Sequence, residues 1–196
     1  MEDKKKEVRK ASFPVSVSEG EESRGIEGYA LLFNTPSDGL PFEEVIERSA
    51  LDGVIERSDV FALLNHSIEK GVLARSKKGQ GSLSLSIDAK GLRYKFDAPN
   101  TALGNELLEN IRRKEVSESS FAFDVASDTW EKKSDGTLKR TIHKIEYLYD
   151  VSPVYDAAYS KTTVYQRSYE AAKKDIEKRE NNLETYYSQF EKSLNI

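Results

Sequence analysis

The sequence contains no cysteine, only two histidines and no long apolar run. The absence of cysteine excludes a disulfide framework, a thiolate metal site and a cysteine nucleophile, and it fits a reducing compartment. No apolar segment approaches the roughly 20 residues that span a bilayer. Residues 1–6 are mostly charged and lack the apolar stretch of a secretory signal. We therefore expect a cytoplasmic protein that does not associate with a membrane.

An excess of charge of one sign is also missing. The 34 acidic and 30 basic residues give a formal charge of -4 and are spread along the chain. Without a basic patch, nucleic-acid binding is not expected. The sequence has no Gly-rich phosphate loop, no zincin helix, no metal-ligand cluster and no Gly-x-Ser-x-Gly elbow. It therefore predicts no metal and no cofactor.

The distribution of apolar residues predicts one domain with an extension at each end. At 196 residues the chain has room for one self-stabilising core and an appendage. We interpret polar residues 1–10 as a flexible arm and residues 11–166 as the main domain. Residues 168–196 are predicted to form a charged amphipathic helix, because apolar side chains recur there at three- and four-residue steps.

Strand signals dominate the main domain. Residues 83–87 and 92–96 alternate between apolar and polar side chains on either side of a turn, which is typical of a hairpin. Residues 119–126 and 138–151 flank an Asp135-Gly136 turn and predict a second hairpin.

Two segments between the strands have helical spacing. Residues 101–113 place four apolar side chains on one face, and Thr101 can cap the first turn. Residues 42–51 have spacings that suit a short helix. The sequence therefore predicts an α+β, β-rich domain with flanking helices.

Candidate catalytic side chains are few. His66 follows a short apolar run, where the end of a strand could hold its ring at a sheet edge. Ser120 begins a strand in which Phe121 and Phe123 point to the core, which leaves Ser120 on the opposite face. From these residues alone, His66 reads more readily as a structural histidine, and Ser120 as an ordinary strand serine.

Six short segments, taken together and in order, favour a catalytic role for His66 and Ser120 instead. They are EGYALLFN from Glu27, IERSAL from Ile46, LLNHS from Leu63 followed by VLAR from Val72, LRYKFDAP from Leu92, VSESSFAF ending at Phe123, and DVSPV from Asp150. This set resembles the HK97-type prohead protease family of tailed phages over residues 11–166. That family is similar in fold to the herpesvirus assembly proteases, so the resemblance implies a closed or nearly closed β-barrel flanked by helices.

The resemblance also implies an activity and a setting. In the family the corresponding histidine and serine are the catalytic pair of a serine endopeptidase, which assigns those roles to His66 and Ser120. Such enzymes act inside the assembling procapsid in the host cytoplasm, where they cleave the scaffolding segment of the major capsid protein and often themselves. Ala122 and Ala74 stand where the family usually has glycine, and we expect both changes to be tolerated.

A third group should orient the imidazole of a catalytic histidine. If the second hairpin turns at Asp135, paired residue numbers sum to about 270, which places Asp150 opposite Ser120 on the same face. The same arithmetic places His143 near Ser127, roughly 23 Å from Ser120 along the strand. We predict Asp150 as the third member. His143 stays the alternative, because the herpesvirus enzymes use a second histidine and a bulge could move it closer.

Two further questions stay open at this stage. Backbone amides are expected to stabilise the oxyanion, with Arg75 either an electrostatic helper or a surface ion-pair partner. The terminal helix could serve targeting, self-processing or self-association. A rival hypothesis is a non-enzymatic capsid assembly or scaffolding protein that acts through this helix.

Overall fold

Two β-sheets make up most of the described chain. The structure is a computed structural model that describes residues 6–11, 14–18, 20, 23–37, 39–155 and 163–194. Within these residues the strands form one sheet of seven strands and one of four. The predicted α+β, β-rich class is confirmed. A closed barrel, which the resemblance implies, is not found in the described part of the chain.

The strands and helices follow one another along the described residues. The strands are β1 (Glu7–Ala11), β2 (Ser16–Val17), β3 (Gly25–Leu32), β4 (Glu43–Ile46), β5 (Asp59–Ala62), β6 (Ala74–Lys77), β7 (Gln80–Gly81), β8 (Ser84–Ile87), β9 (Gly91–Asp97), β10 (Glu118–Lys132) and β11 (Leu138–Val154). The α-helices are α1 (Val54–Arg57), α2 (Ala102–Arg112) and α3 (Thr163–Leu194). Short 3₁₀ helices span Arg48–Leu51 and Ile68–Lys70.

A long antiparallel hairpin of β10 and β11 is the centre of the larger sheet. The strand order is β1-β10-β11-β5-β6-β7, and β4 pairs with β11 as well. β4 and β5 are both parallel to β11, with Thr141 opposite Val45 and Asp150 opposite Phe61. As a result β10, β11 and β5 lie side by side, which brings three segments distant in sequence to one place.

The smaller sheet shares its core with the larger one. Its order is β2-β3-β9-β8, and every pairing is antiparallel. Ile26 and Tyr94 from this sheet lie in the same buried cluster as Phe121 and Phe123 from β10. Burying side chains of this size contributes about 1.5–3 kcal/mol each. The core therefore fixes the face of β10 that points inward, and Ser120 lies on the other face.

Helix α2 follows its sequence pattern closely. The Thr101 side chain accepts a hydrogen bond from the Gly104 amide at 3.2 Å, as predicted for the cap. Leu107, Leu108 and Ile111 are buried on the inner face. A β-carbon at Gly104 would lie 2.0 Å from the Pro99 carbonyl oxygen, so only glycine fits this close approach.

The predicted helix over residues 42–51 is wrong. Glu43–Ile46 form strand β4, and only Arg48–Leu51 turn helically, as a 3₁₀ helix. The burial of Glu44 and Ile46 has a period of two, because β4 pairs with β11 and turns alternate side chains inward. Apolar spacing alone did not reveal this pairing.

The N-terminal segment also differs from expectation. Residues 1–10 were predicted to be a flexible arm, but Glu7–Ala11 form β1 along the edge of β10, while residues 1–5 lie outside the described residues. Glu7 and Arg9 are buried, and Arg9 donates hydrogen bonds to Glu44 at 2.5 and 2.8 Å. Arg140 donates to Glu7 and Glu44 and completes a buried four-charge cluster. Pairing the two carboxylates with the two guanidinium groups allows these four charges to be buried.

Helix α3 contacts the sheets near its first turns. The Tyr169 ring stacks on Phe42 at 5.4 Å between centroids and lies 6.2 Å from the Trp130 ring. Lys132 pairs with Glu180 further along the helix. The long C-terminal helix is confirmed, and it begins at Thr163. No helix in the described ranges is long and apolar enough to cross a bilayer.

Candidate active site

Strand β10 presents Ser120 at a buried position. Phe121 and Phe123 fill the core, and the alternation of the strand directs Ser120 to the opposite face. Ser120 is only 3% exposed. Its hydroxyl donates to the Arg9 carbonyl oxygen at 2.9 Å, across the pairing of β1 with β10.

A tight turn after β5 presents His66. The chain leaves β5 through buried Leu63 and Leu64, and the Asn65 amide donates to the Pro153 carbonyl of β11 at 3.0 Å. Asn65 and His66 both have left-handed backbones, with φ of 56° and 59°. Asparagine and histidine are enriched among the non-glycine residues that adopt this conformation. The turn carries the imidazole back over β11 towards β10.

The imidazole of His66 joins a hydroxyl to a carboxylate. Its Nε2 lies 2.6 Å from Ser120 Oγ, and its Nδ1 lies 2.5 Å from Asp150 Oδ1. The register places Ser152 directly opposite Ser120 and Asp150 opposite Ala122, one pair further along the same face than predicted. The structure thus brings together the three residues that the sequence selected.

Asp150 lies in a buried and strongly hydrogen-bonded environment. It is 1% exposed, and burial by itself raises its pKa. Hydrogen bonding and charge from His66, the charge of Lys6 and a hydrogen bond from Ser152 outweigh burial, so the pKa of Asp150 lies below its usual value. The carboxylate is therefore charged at neutral pH, as is needed to stabilise an imidazolium.

Two partners of Asp150 were missed by the sequence analysis. Ser152 Oγ donates to Asp150 Oδ1 at 2.8 Å, and Lys6 Nζ donates to Oδ2 at 3.0 Å. The contact of Ser152 with Asp150 could have been predicted, because Ser152 lies two residues beyond Asp150 on the same face of β11. Lys6 carried no such signal, since its segment was interpreted as a flexible arm.

His143, the alternative third member, lies in another part of the sheet. Its Nδ1 is 2.9 Å from Glu47 Oε2, and its Nε2 is 2.9 Å from Thr129 Oγ1. The bulges in the hairpin do not bring its ring to Ser120: the register at this point pairs Asp128 with Ile142.

Arg75 is engaged on β6. Its guanidinium donates to both carboxylate oxygens of Asp59 and lies over the Phe61 ring at 4.9 Å. Of the two roles considered for Arg75, electrostatic helper or surface ion-pair partner, this arrangement corresponds to the ion-pair partner.

A pocket of about 450 Å³ opens beside His66. Its walls include Phe61, Ile68 and Tyr149, and it reaches Lys6 and Asp150. An apolar wall with a few polar groups is typical of a site that accepts a side chain. The described residues contain no group of three or more side chains that could hold a metal ion.

The arrangement can perform acyl transfer without a cofactor. When its Nδ1–H donates a hydrogen bond to Asp150, His66 can accept the Ser120 proton at Nε2. The carboxylate then stabilises the positive ring. This sequence of hydrogen bonds is the one found in serine hydrolases with a Ser-His-Asp triad.

Comparison with known proteins agrees with this geometry. Residues 11–177 match the family model of the caudovirus prohead serine proteases. The chain therefore belongs to the caudovirus prohead serine protease family. No curated protein is significantly similar to the chain in sequence.

A solved structure is similar in fold. The bacteriophage T4 capsid assembly protease, gp21, superposes with a TM-score of 0.53 and 12% sequence identity, over 77% of this chain and 98% of that one. At this identity the likeness shows a shared fold alone.

Proposed function

We propose that the chain is a serine endopeptidase in which Ser120 is the nucleophile, His66 the general base and Asp150 the orienting carboxylate. The observation that supports this most directly is the unbroken hydrogen-bonded series from Ser120 Oγ through the imidazole to Asp150. Membership of a serine protease family supports the same activity.

The reaction follows from these contacts. Ser120 Oγ attacks a peptide carbonyl carbon while its proton passes to His66 Nε2. The tetrahedral intermediate collapses, the amine leaves with the proton from His66, and an acyl group stays on Ser120. Water then hydrolyses the acyl-enzyme by the same proton transfers in reverse. Because Arg75 is held by Asp59, we assign the oxyanion to backbone amide donors.

The proposed substrate is the scaffolding segment of a phage major capsid protein, together with the chain itself. This rests on the family of prohead proteases and on the fold shared with a capsid assembly protease. The expected place of action is the assembling procapsid in the host cytoplasm. Residues 11–166 would form the protease domain, with the terminal helix as an appendage capable of self-association.

Co-expression with the capsid protein tests the proposal. We expect Ser120→Ala to fold normally and to abolish cleavage of the capsid protein and of the chain, read out by intact-protein mass spectrometry. Thr129→Ala is the matched control, since Thr129 is the hydroxyl beside the other histidine, and it should process both substrates normally. Processing at the wild-type rate by Ser120→Ala would remove the nucleophile assignment.

The non-enzymatic alternative has one observation in its favour. The second half of α3 exposes a set of large apolar side chains, as an assembly helix would: Leu183, Tyr186, Tyr187, Phe190 and Leu194. In that case Ser120→Ala and the wild type would assemble capsids equally well and neither would cleave.

A further inference from the structure

We propose that the outer edge of β10 is the substrate-binding edge, and that β1 occupies it until an extended segment of the substrate polypeptide takes its place. This inference rests on the proposed function, because it describes access to the same Ser120. It makes β1 an intramolecular stand-in for a bound peptide strand.

The register of β1 on β10 is the first observation that supports the inference. β1 pairs antiparallel with β10 from Glu7 opposite Phe123 to Ala11 opposite Ser119, so it spans Ser120 on both sides. Peptides commonly bind by adding a strand to a sheet edge, where main-chain hydrogen bonds supply affinity. β1 makes those bonds along the segment that carries the nucleophile.

The contacts of the Ser120 hydroxyl are the second observation that supports the inference. One hydroxyl proton faces two acceptors, the Arg9 carbonyl at 2.9 Å and His66 Nε2 at 2.6 Å. A hydrogen bond to Arg9 directs the proton away from the base that must receive it. Ser120 is also only 3% exposed with β1 in place, which restricts the access of a substrate carbonyl carbon to Oγ. The departure of β1 would correct both conditions.

Lys6 directly precedes β1 and extends the N-terminal segment to the pocket beside His66. Its ammonium lies 3.0 Å from Asp150 Oδ2 and 5.3 Å from the centre of the Tyr149 ring, and both residues line the pocket beside His66. The N-terminal segment therefore covers the nucleophile and one wall of the pocket at once. A substrate strand on the same edge would reach both.

β1 can leave without creating an unpaired charge in the core, because the remaining members of the charge cluster still pair with one another. With Glu7 and Arg9 removed, Arg140 Nη1 still pairs with Glu44 at 3.0 Å, and Arg140 Nε still pairs with Asp128 at 2.6 Å. An unpaired buried charge would make departure prohibitive. The family match begins at residue 11, so nearly all of β1 lies outside the part of the chain that defines the family.

A reversible lock on β1 tests the inference in the full chain. Val8 and Ala122 are cross-strand partners, and directly paired residues lie within the range that a disulfide spans. Because the chain has no cysteine, Val8→Cys with Ala122→Cys can form only this intramolecular bridge. Labelling by a fluorophosphonate reports access: an Oγ–P bond forms, the P–F bond breaks, fluoride leaves and the Ser120 proton passes to His66.

We expect the oxidised form to be labelled about tenfold more slowly than the reduced form, since reactivity follows the fraction of molecules with β1 undocked. Reduction should restore the rate. A control bridge between Thr129→Cys and Thr141→Cys, partners in the distant part of the hairpin, should leave labelling unchanged on oxidation. Circular dichroism checks that each oxidised form is folded.

A loosened β1 gives a second, opposite measurement. Glu7→Gln with Arg9→Ala removes one charge of each sign from the cluster and should raise the labelling rate above that of the wild type. Equal labelling of locked and reduced protein, or no gain in the loosened variant, overturns the inference and leaves Ser120 as the nucleophile. Absence of labelling in every form, wild type included, overturns the proposed function instead.

Discussion

His66 and His143 each lie between a carboxylate and a side-chain hydroxyl. In both, Nδ1 faces the carboxylate and Nε2 faces the hydroxyl: Asp150 and Ser120 for His66, Glu47 and Thr129 for His143. The distances at His143 are 2.9 Å on both sides, which is normal for hydrogen bonds. On contacts alone the two clusters are alike.

The surroundings separate them. Asp150 is 1% exposed and receives three hydrogen-bonding partners, whereas the Glu47 side chain is 42% exposed. A pocket opens beside His66. Water and salt screen the interactions between exposed charges, whereas buried charges interact more strongly because the local dielectric constant is low. Burial of the carboxylate and an adjoining pocket, rather than the order of contacts, therefore distinguish the cluster that we propose as catalytic.

Neutralising each carboxylate gives the largest expected contrast. Asp150→Asn should lower kcat/KM for peptide cleavage by about 10⁴-fold, because the imidazole loses its orienting carboxylate. Glu47→Gln and His143→Ala should stay within about twofold of the wild type, since their contacts lie at the surface. Steady-state kinetics on a peptide spanning a capsid-protein cleavage site measures both. The reverse ranking would transfer the orienting role to His143.

Backbone conformation offers a second contrast. His66 follows Asn65 in a left-handed turn, whereas His143 lies within extended β11. Asn65→Val should lower the free energy of unfolding by about 1–3 kcal/mol, because a β-branched residue is strained at this φ. Asn65→Gly, the matched control, should fold and cleave almost normally. Urea unfolding gives the energies; equal stability of the two variants would mean that the turn stores no strain.

Acidification should reveal the buried carboxylate. The folded-state pKa of Asp150 is lowered, so its contribution to stability is present at neutral pH and is lost as pH falls through that pKa. The difference in unfolding free energy between the wild type and Asp150→Asn should therefore shrink as pH drops below about 4. Urea titrations at neutral and acid pH measure it. A difference that stays constant with pH would argue against a charged Asp150.

The sequence predicted the elements whose cause is local. Thr101 and the apolar face behind it specify α2, and the Asp135-Gly136 turn sets the hairpin, which places Asp150 and Ser120 on one face of neighbouring strands. The predicted register is wrong by two residues at Ser120, because bulges lie between Ala122 and Asp128. Bulges are not visible in alternation alone.

Elements held by distant partners were not predictable. β1 is polar, and only its pairing with β10 and the burial of Glu7 and Arg9 beside Arg140 make it a strand. β4 is a strand because β11 pairs with it. Lys6 reaches Asp150 for the same reason, since it precedes a segment whose position depends on the whole sheet. Roles for His66 and Ser120 came from the family resemblance rather than from periodicity.

The aromatic contact between α3 and the sheets has a practical consequence. Trp130 is the sole tryptophan of the chain, and its ring lies against Phe42 and near Tyr169 of α3. Its fluorescence should therefore change when the helix detaches, without any added dye. Detachment of the helix from the sheets could thus be followed in real time by an intrinsic optical signal that is independent of proteolytic activity.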